Sequence, residues 1–198
     1  PFATRSASGR IFTSEPFVKM RSGFVNFFGK PNAGKSTLLN FLMEEKLAIV
    51  SSKVQTTRHR IKGILTEEDH QIVLSDTPGI IDPKYPLHKR MMDAVRSALE
   101  DGDLALLLVD AHSDWSESDR IFTELKLKAT AWILITKTDL VDGVKKQEAI
   151  QYFQGKSYAS RVVTISTKHP ADRKKLLKEI LNVLPEGPAY FPADEISD

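Results

Sequence analysis

Gly29-Lys30-Pro31-Asn32-Ala33-Gly34-Lys35-Ser36 fits the pattern Gly-x-x-x-x-Gly-Lys-Ser/Thr, a loop that holds phosphate. Context decides whether such a string means anything. The apolar run 23–28 before it has the length of a buried strand, and Thr37 opens a stretch, 37–43, with helical apolar spacing and no breaker. Glycines at both ends let the backbone wrap a di- or triphosphate. The loop N–H groups then converge on it, and the new helix adds its positive end. All eight residues from Gly29 to Ser36, with Thr37, are therefore expected to line a nucleotide site. Lys35 would reach the β and γ phosphates, and the Ser36 hydroxyl would hold Mg²⁺.

The 198 residues suffice for one domain with a full core and are too few for two of ordinary size. A hydrophobic share of 41% and a charged share of 27% are those of a soluble globular chain. The longest apolar run, 104–109, is strand-sized, and no basic amphipathic helix with aromatic anchors is visible. Without cysteine there is neither a disulfide nor a thiolate–metal site. A net charge of +2 is too small to argue for nucleic acid by itself. Residues 1–19 differ in kind: Arg5, Arg10 and Lys19 face one acid, Glu15, among scattered Ser, Thr and Gly. They read as a tag, a tail or the remnant of an organelle transit peptide.

From residue 20 onward, strands alternate with helical patterns. Residues 61–66 and 71–75 read as a hairpin around the turn 67–70. A helical face (Leu87, Met91, Val95, Ala98, Leu99) precedes the strand 104–109. Helices over 116–127 and 145–153 precede strands over 132–135 and 161–165. A last helix buries Leu176, Leu177, Ile180, Leu181 and Leu184. Such repetition implies an α/β P-loop fold, a mostly parallel sheet of about six strands with helices on both faces and ligands at the carboxyl ends of the strands.

That geometry requires nucleotide-binding residues just after successive strand ends, and the chain supplies them. Asp76-Thr77-Pro78-Gly79 follows one strand: the acid can hold Mg²⁺ and the Gly79 N–H can meet a γ-phosphate. Thr136-Lys137-Thr138-Asp139 follows another. A carboxylate at Asp139 accepts from the N1–H and 2-amino group of guanine, which adenine lacks, while Lys137 lays its stem across the base. Ser166-Thr167-Lys168 follows a third, where a backbone N–H reaches the guanine 6-oxo group. Each is an ordinary turn when met alone. Four at successive strand ends point to one guanine nucleotide, GTP or GDP with Mg²⁺.

With these motifs, the chain resembles the Era-type ribosome-assembly GTPases from residue 20 to 198. The likeness rests on the phosphate loop, on Gln55-Thr56-Thr57-Arg58-His59-Arg60-Ile61, and on the closing stretch 184–192, similar to the linker of those proteins. It implies a GTP-hydrolysing switch in small-subunit assembly, with a GTPase domain over 20–184 and a linker over 185–198. In the family that linker leads to a KH domain that binds small-subunit ribosomal RNA; the sequence stops at Asp198, so that domain is expected to be missing here. It also implies that Thr57 closes over Mg²⁺ and the γ-phosphate from a mobile segment, 49–60, and that Asn32 helps bind K⁺, which supplies charge where an arginine finger would. Lys35, Thr57, Gly79 and Asn32 thus become the candidate catalytic residues. The implied home is the bacterial cytoplasm, with an organelle matrix as the alternative.

Two positions depart from the family pattern. Thr136 stands where asparagine is usual, so the tie between that strand and the phosphate loop is expected to be weaker. Thr167 replaces alanine. Where many GTPases place a water-orienting glutamine, this chain has Ile80, so slow intrinsic hydrolysis is expected. His59 and His88 read as solvated. The basic run Lys53, Arg58, His59, Arg60, Lys62 reads equally as a solvated loop or an RNA contact; Lys168, Arg173, Lys174, Lys175 and Lys178 read as a solvated helix face. Two alternatives stand beside the switch: a GTP-binding module with negligible hydrolysis in isolation, and a P-loop ATPase or nucleotide kinase. A kinase would need an arginine-rich lid and an acceptor site, neither of which the sequence displays.

Overall fold

Strand β1 (Met20–Gly29) carries the chain into the middle of a sheet before delivering it to the phosphate loop. The computed structural model describes residues 20–43, 61–67, 69–76, 102–125 and 129–191. The segment 49–60, the helix expected over 87–99, and Gly79 and Ile80 lie outside those residues. After β1 come helix α1 (Lys35–Met43), the hairpin strands β2 (Ile61–Glu67) and β3 (His70–Asp76), and β4 (Leu104–Asp110). Helix α2 (Ser116–Glu124), β5 (Thr130–Thr136), α3 (Gly143–Phe153), β6 (Arg161–Thr164), α4 (Pro170–Leu181) and the two-residue β7 (Glu186–Gly187) complete the described chain.

The strands run in the order β2-β3-β1-β4-β5-β6. Pairs β3–β1, β1–β4, β4–β5 and β5–β6 are parallel, and β2–β3 is the antiparallel hairpin read from sequence. A continuous apolar strand serves two cores because alternate side chains face opposite sides. On β4 and β5, Leu106 and Leu134 join Val25, Leu38 and Leu176 beneath α1 and α4. Their neighbours Leu107 and Ile133 pack with Phe122 and Phe153 beneath α2 and α3. Asp119 ties that second layer together, accepting from Lys156 Nζ (2.6 Å), Tyr158 OH (2.7 Å) and Tyr152 OH (3.1 Å).

Boundaries moved where caps or partners decide them. Helix α3 begins at Gly143 rather than 145 because the Asp142 carboxylate caps it, accepting from Lys145 N at 2.8 Å. Strand β1 begins at Met20 because Met20 and Arg21 pair with β7 on the side that β4 takes up only from Val25. Of the last helix's expected face, Leu176, Ile180 and Leu184 are buried, while Leu177 and Leu181 are only partly so.

The stretch read as linker is, as far as Phe191, packed on the sheet. Ser22 Oγ donates to Pro188 O (2.7 Å) and the Phe24 and Tyr190 rings meet edge-on at 4.7 Å. The buried Gln71 amide serves the Phe191 backbone on both sides: Oε1 accepts from Tyr190 N (2.8 Å) and Phe191 N (3.0 Å), and Nε2 donates to Phe191 O (2.9 Å).

Candidate nucleotide site

Backbone shape is the first requirement of a phosphate loop, and residues 29–36 have it. At Gly29 a Cβ would lie 2.7 Å from the Leu108 carbonyl oxygen, so no side chain fits between β1 and β4 there. Asn32 (φ 64°) and Gly34 (φ 93°) take left-handed conformations, which asparagine and glycine tolerate best. Such alternation turns successive N–H groups toward one concavity. Helix α1 starts directly behind, with Leu38 N bonded to Gly34 O at 2.8 Å.

The loop's side chains divide the work. Lys35 Nζ donates to Gly29 O and Lys30 O, both at 2.9 Å, which holds its ammonium across the loop mouth. Ser36 and Thr37 are exposed in the first turn of α1, where a hydroxyl can ligate Mg²⁺. Pro31 and Asn32 are exposed at the loop's crest, and Ala33 is buried beneath it. Lys30 Nζ donates to Glu117 in the first turn of α2, so its ammonium is already engaged by an acid outside the loop. Asp76 closes β3 opposite Phe27, at the same end of the sheet. Its side chain, like Thr57 and Gly79, lies outside the described residues.

The tie at Thr136, expected to be weaker than an asparagine's, is a direct one. Its buried hydroxyl donates to Ala33 O at 2.9 Å, with Val109 O at 3.2 Å, so β5 is joined to the phosphate loop directly. The Thr136 side chain packs over Gly34, its hydroxyl 3.7 Å from where a Cβ would be. Lys137 is left-handed (φ 57°, ψ 35°), and Asp139 follows in a single turn of 3-10 helix (Thr138–Leu140).

Asp139 and the loop after β6 meet. Ser166, fully buried, donates from Oγ to Asp139 Oδ1 at 2.6 Å. That bond is the main reason the Asp139 carboxyl sits below its ordinary range, and Lys168 and His169 add to it. The Ser166 amide donates to Asp172 Oδ2 (2.9 Å) and the Lys168 amide to Ser166 Oγ (3.1 Å). Among described residues this leaves the Thr167 N–H as the amide of that loop open to a base oxygen. Sequence reasoning missed Asp110, Glu117 and Asp172; Asp110 carried the same signal as the motifs, an acid at a strand's carboxyl end.

Arg173 is not part of a solvated face. Its Nε donates to Phe41 O and Leu42 O at 3.0 Å, and Nη2 to Leu42 O at 2.7 Å, capping the C-terminus of α1. Lys168, Lys174, Lys175 and Lys178 are exposed as expected. One cluster of potential metal ligands among described residues, Glu67, Asp69 and His70, lies at the β2–β3 turn, the far end of β3 from Asp76. No helix among described residues is long and apolar enough to cross a membrane.

The family model described as "50S ribosome-binding GTPase" matches residues 24–137, from β1 through the phosphate loop to the lysine after β5. The chain belongs to this GTPase family. It is 41% identical over 183 residues to a protein named GTPase Era from Alkaliphilus metalliredigens, covering 91% of this chain and 62% of that protein. It thus spans about three fifths of the length of such curated relatives. Among solved structures, it is similar to an Aquifex aeolicus Era variant bound to GDP·AlF4⁻ (TM-score 0.74, 36% identity, 90% of this chain and 62% of the other). It is also similar to Era bound to MgGDPNP and part of 16S ribosomal RNA (TM-score 0.73, 36% identity, 88% and 61%).

Proposed function

We propose that this chain binds GTP and GDP with Mg²⁺ and hydrolyses GTP slowly, as the nucleotide-dependent switch of a protein acting in small ribosomal subunit assembly. The observation that carries this reading is the joining of three loops at the carboxyl ends of β1, β5 and β6. Thr136 bonds the phosphate loop, and Ser166 holds the Asp139 carboxylate charged where a base can meet it. The loop backbone and Lys35 take the phosphates; Asp139 selects guanine and Thr167 N–H meets its oxo group. Ser36, Asp76 and Thr57 would hold Mg²⁺, which neutralises phosphate charge when bound. Gly79 N–H would meet the γ-phosphate. Asn32, exposed at the crest of the loop, would share a K⁺ ion with the phosphates.

The Era complex with 16S RNA supports a small-subunit partner over the large-subunit one named in the family's description. Residues 185–198 would lead toward the RNA-binding part, and the bacterial setting of the relatives supports a cytoplasmic home. Competition between GDP and ADP tests the base reading: guanosine should win by at least about tenfold, as unpaired polar groups demand, and equal binding would refute it. Single-turnover hydrolysis in KCl and NaCl, with Asn32→Ala as control, tests the rest. Equal rates in both salts would remove the K⁺ role, and no turnover in either would leave a binding module, which Ile80 at the glutamine position favours.

A further inference from the structure

We propose that Asp110, outside every nucleotide-binding motif, is a positioning residue for the base site: it anchors the Lys137 ammonium so that the lysine stem forms one wall of that site. The proposal rests on the guanine-nucleotide reading above. Asp110 ends β4 and lies beside Thr136 in register. Lys137 Nζ donates to Asp110 Oδ2 at 2.7 Å, with the lysine 35% and the aspartate 22% exposed, so the pair is partly shielded from solvent.

The aspartate is fixed before the lysine reaches it. Its Oδ1 accepts from His112 N at 2.9 Å. Its carbonyl accepts from Ser113 N (3.1 Å), Ser113 Oγ (2.9 Å) and Trp115 Nε1 (3.3 Å). A long, flexible side chain pinned at its tip loses its freedom on folding rather than on binding ligand, which is what a preformed wall requires.

The pair is not needed to join the strands. β4 and β5 already pair from Leu104–Thr130 to Asp110–Thr136, and Ala111 N adds a bond to Thr136 O at 3.0 Å. Left-handed backbone at Lys137 is a conformation that a non-glycine residue holds only where its surroundings require it. At the other end of the same turn Glu117 holds Lys30, so residues 110–117 are bonded to both the base loop and the phosphate loop.

The test is a double-mutant cycle on the purified chain with Asp110→Asn, Lys137→Met and the pair, measuring GDP and inorganic pyrophosphate binding by calorimetry. Asparagine keeps the acceptor for His112 N and removes the charge. Asp110→Asn is expected to weaken GDP about tenfold, as for loss of one hydrogen bond to a charged group. Pyrophosphate should change less than about twofold, and the double variant should be no worse than Lys137→Met, because the two residues act as a unit. Unchanged GDP binding, additive losses, or an equal loss of pyrophosphate would overturn the proposal, the last by making Asp110 merely structural. Wild-type protein that fails to prefer GDP over ADP would instead refute the underlying guanine reading.

Discussion

Thr136 stands where related GTPases carry asparagine, yet one hydroxyl bridges strand and loop. Thr136→Val keeps the shape and removes the donor to Ala33 O. A typical buried hydrogen bond contributes about 1 kcal/mol, so GDP release should accelerate about five- to tenfold, with a melting shift of only a few degrees. Stopped-flow release of a fluorescent GDP reads this directly. At Asp139 the expected effect is on pH dependence. Its carboxyl is lowered chiefly by the Ser166 hydroxyl, so the charged form persists below the ordinary value and is lost only as pH falls through the lowered one. GDP's own β-phosphate takes up a proton at about pH 6 in any variant, so the share due to this carboxylate is read as the difference between wild type and Ser166→Ala. In Ser166→Ala the acid loss should begin at higher pH. Affinity titrations of both proteins check the sign, and superimposable acid limbs would disprove the assignment.

At the scale of elements, helix α1 has no basic residue in its last turn to meet its terminal carbonyls. Arg173, some 130 residues later on α4, meets them. Arg173→Met should cost about 1–2 kcal/mol in chemical denaturation, and Arg173→Lys should recover part of it, since an ammonium can donate but cannot fork. A neutral result would return Arg173 to the solvated face that its sequence position suggests. The contrast with α3 is instructive. Asp142 caps α3 three residues before Lys145, a signal visible in sequence. Arg173 looks like its neighbours Lys174 and Lys175 until the fold places it beside α1.

For the whole molecule, the candidate nucleotide site lies at one end of the sheet, and residues 186–191 are fastened at the other. Gln71 sits near the start of β3, opposite Ser22, and holds Tyr190 and Phe191 through three backbone bonds. Gln71→Leu removes all three. Hydrogen exchange at the Tyr190 and Phe191 amides should rise by at least about tenfold, equivalent to losing roughly 1.4 kcal/mol of protection. GDP binding should be unaffected; a parallel loss of nucleotide would show that the two ends of the sheet communicate. Apolar runs of strand length and the residues that follow them were enough to specify an α/β sheet with its ligand loops in order, because burial on two faces and backbone chemistry are local requirements. Which side chains join those loops to one another was decided only by tertiary structure. Asp110 meets Lys137 across 27 positions and Thr136 meets Ala33 across 103, and nothing in a linear pattern reports a distance that β4–β5 pairing and loop packing create.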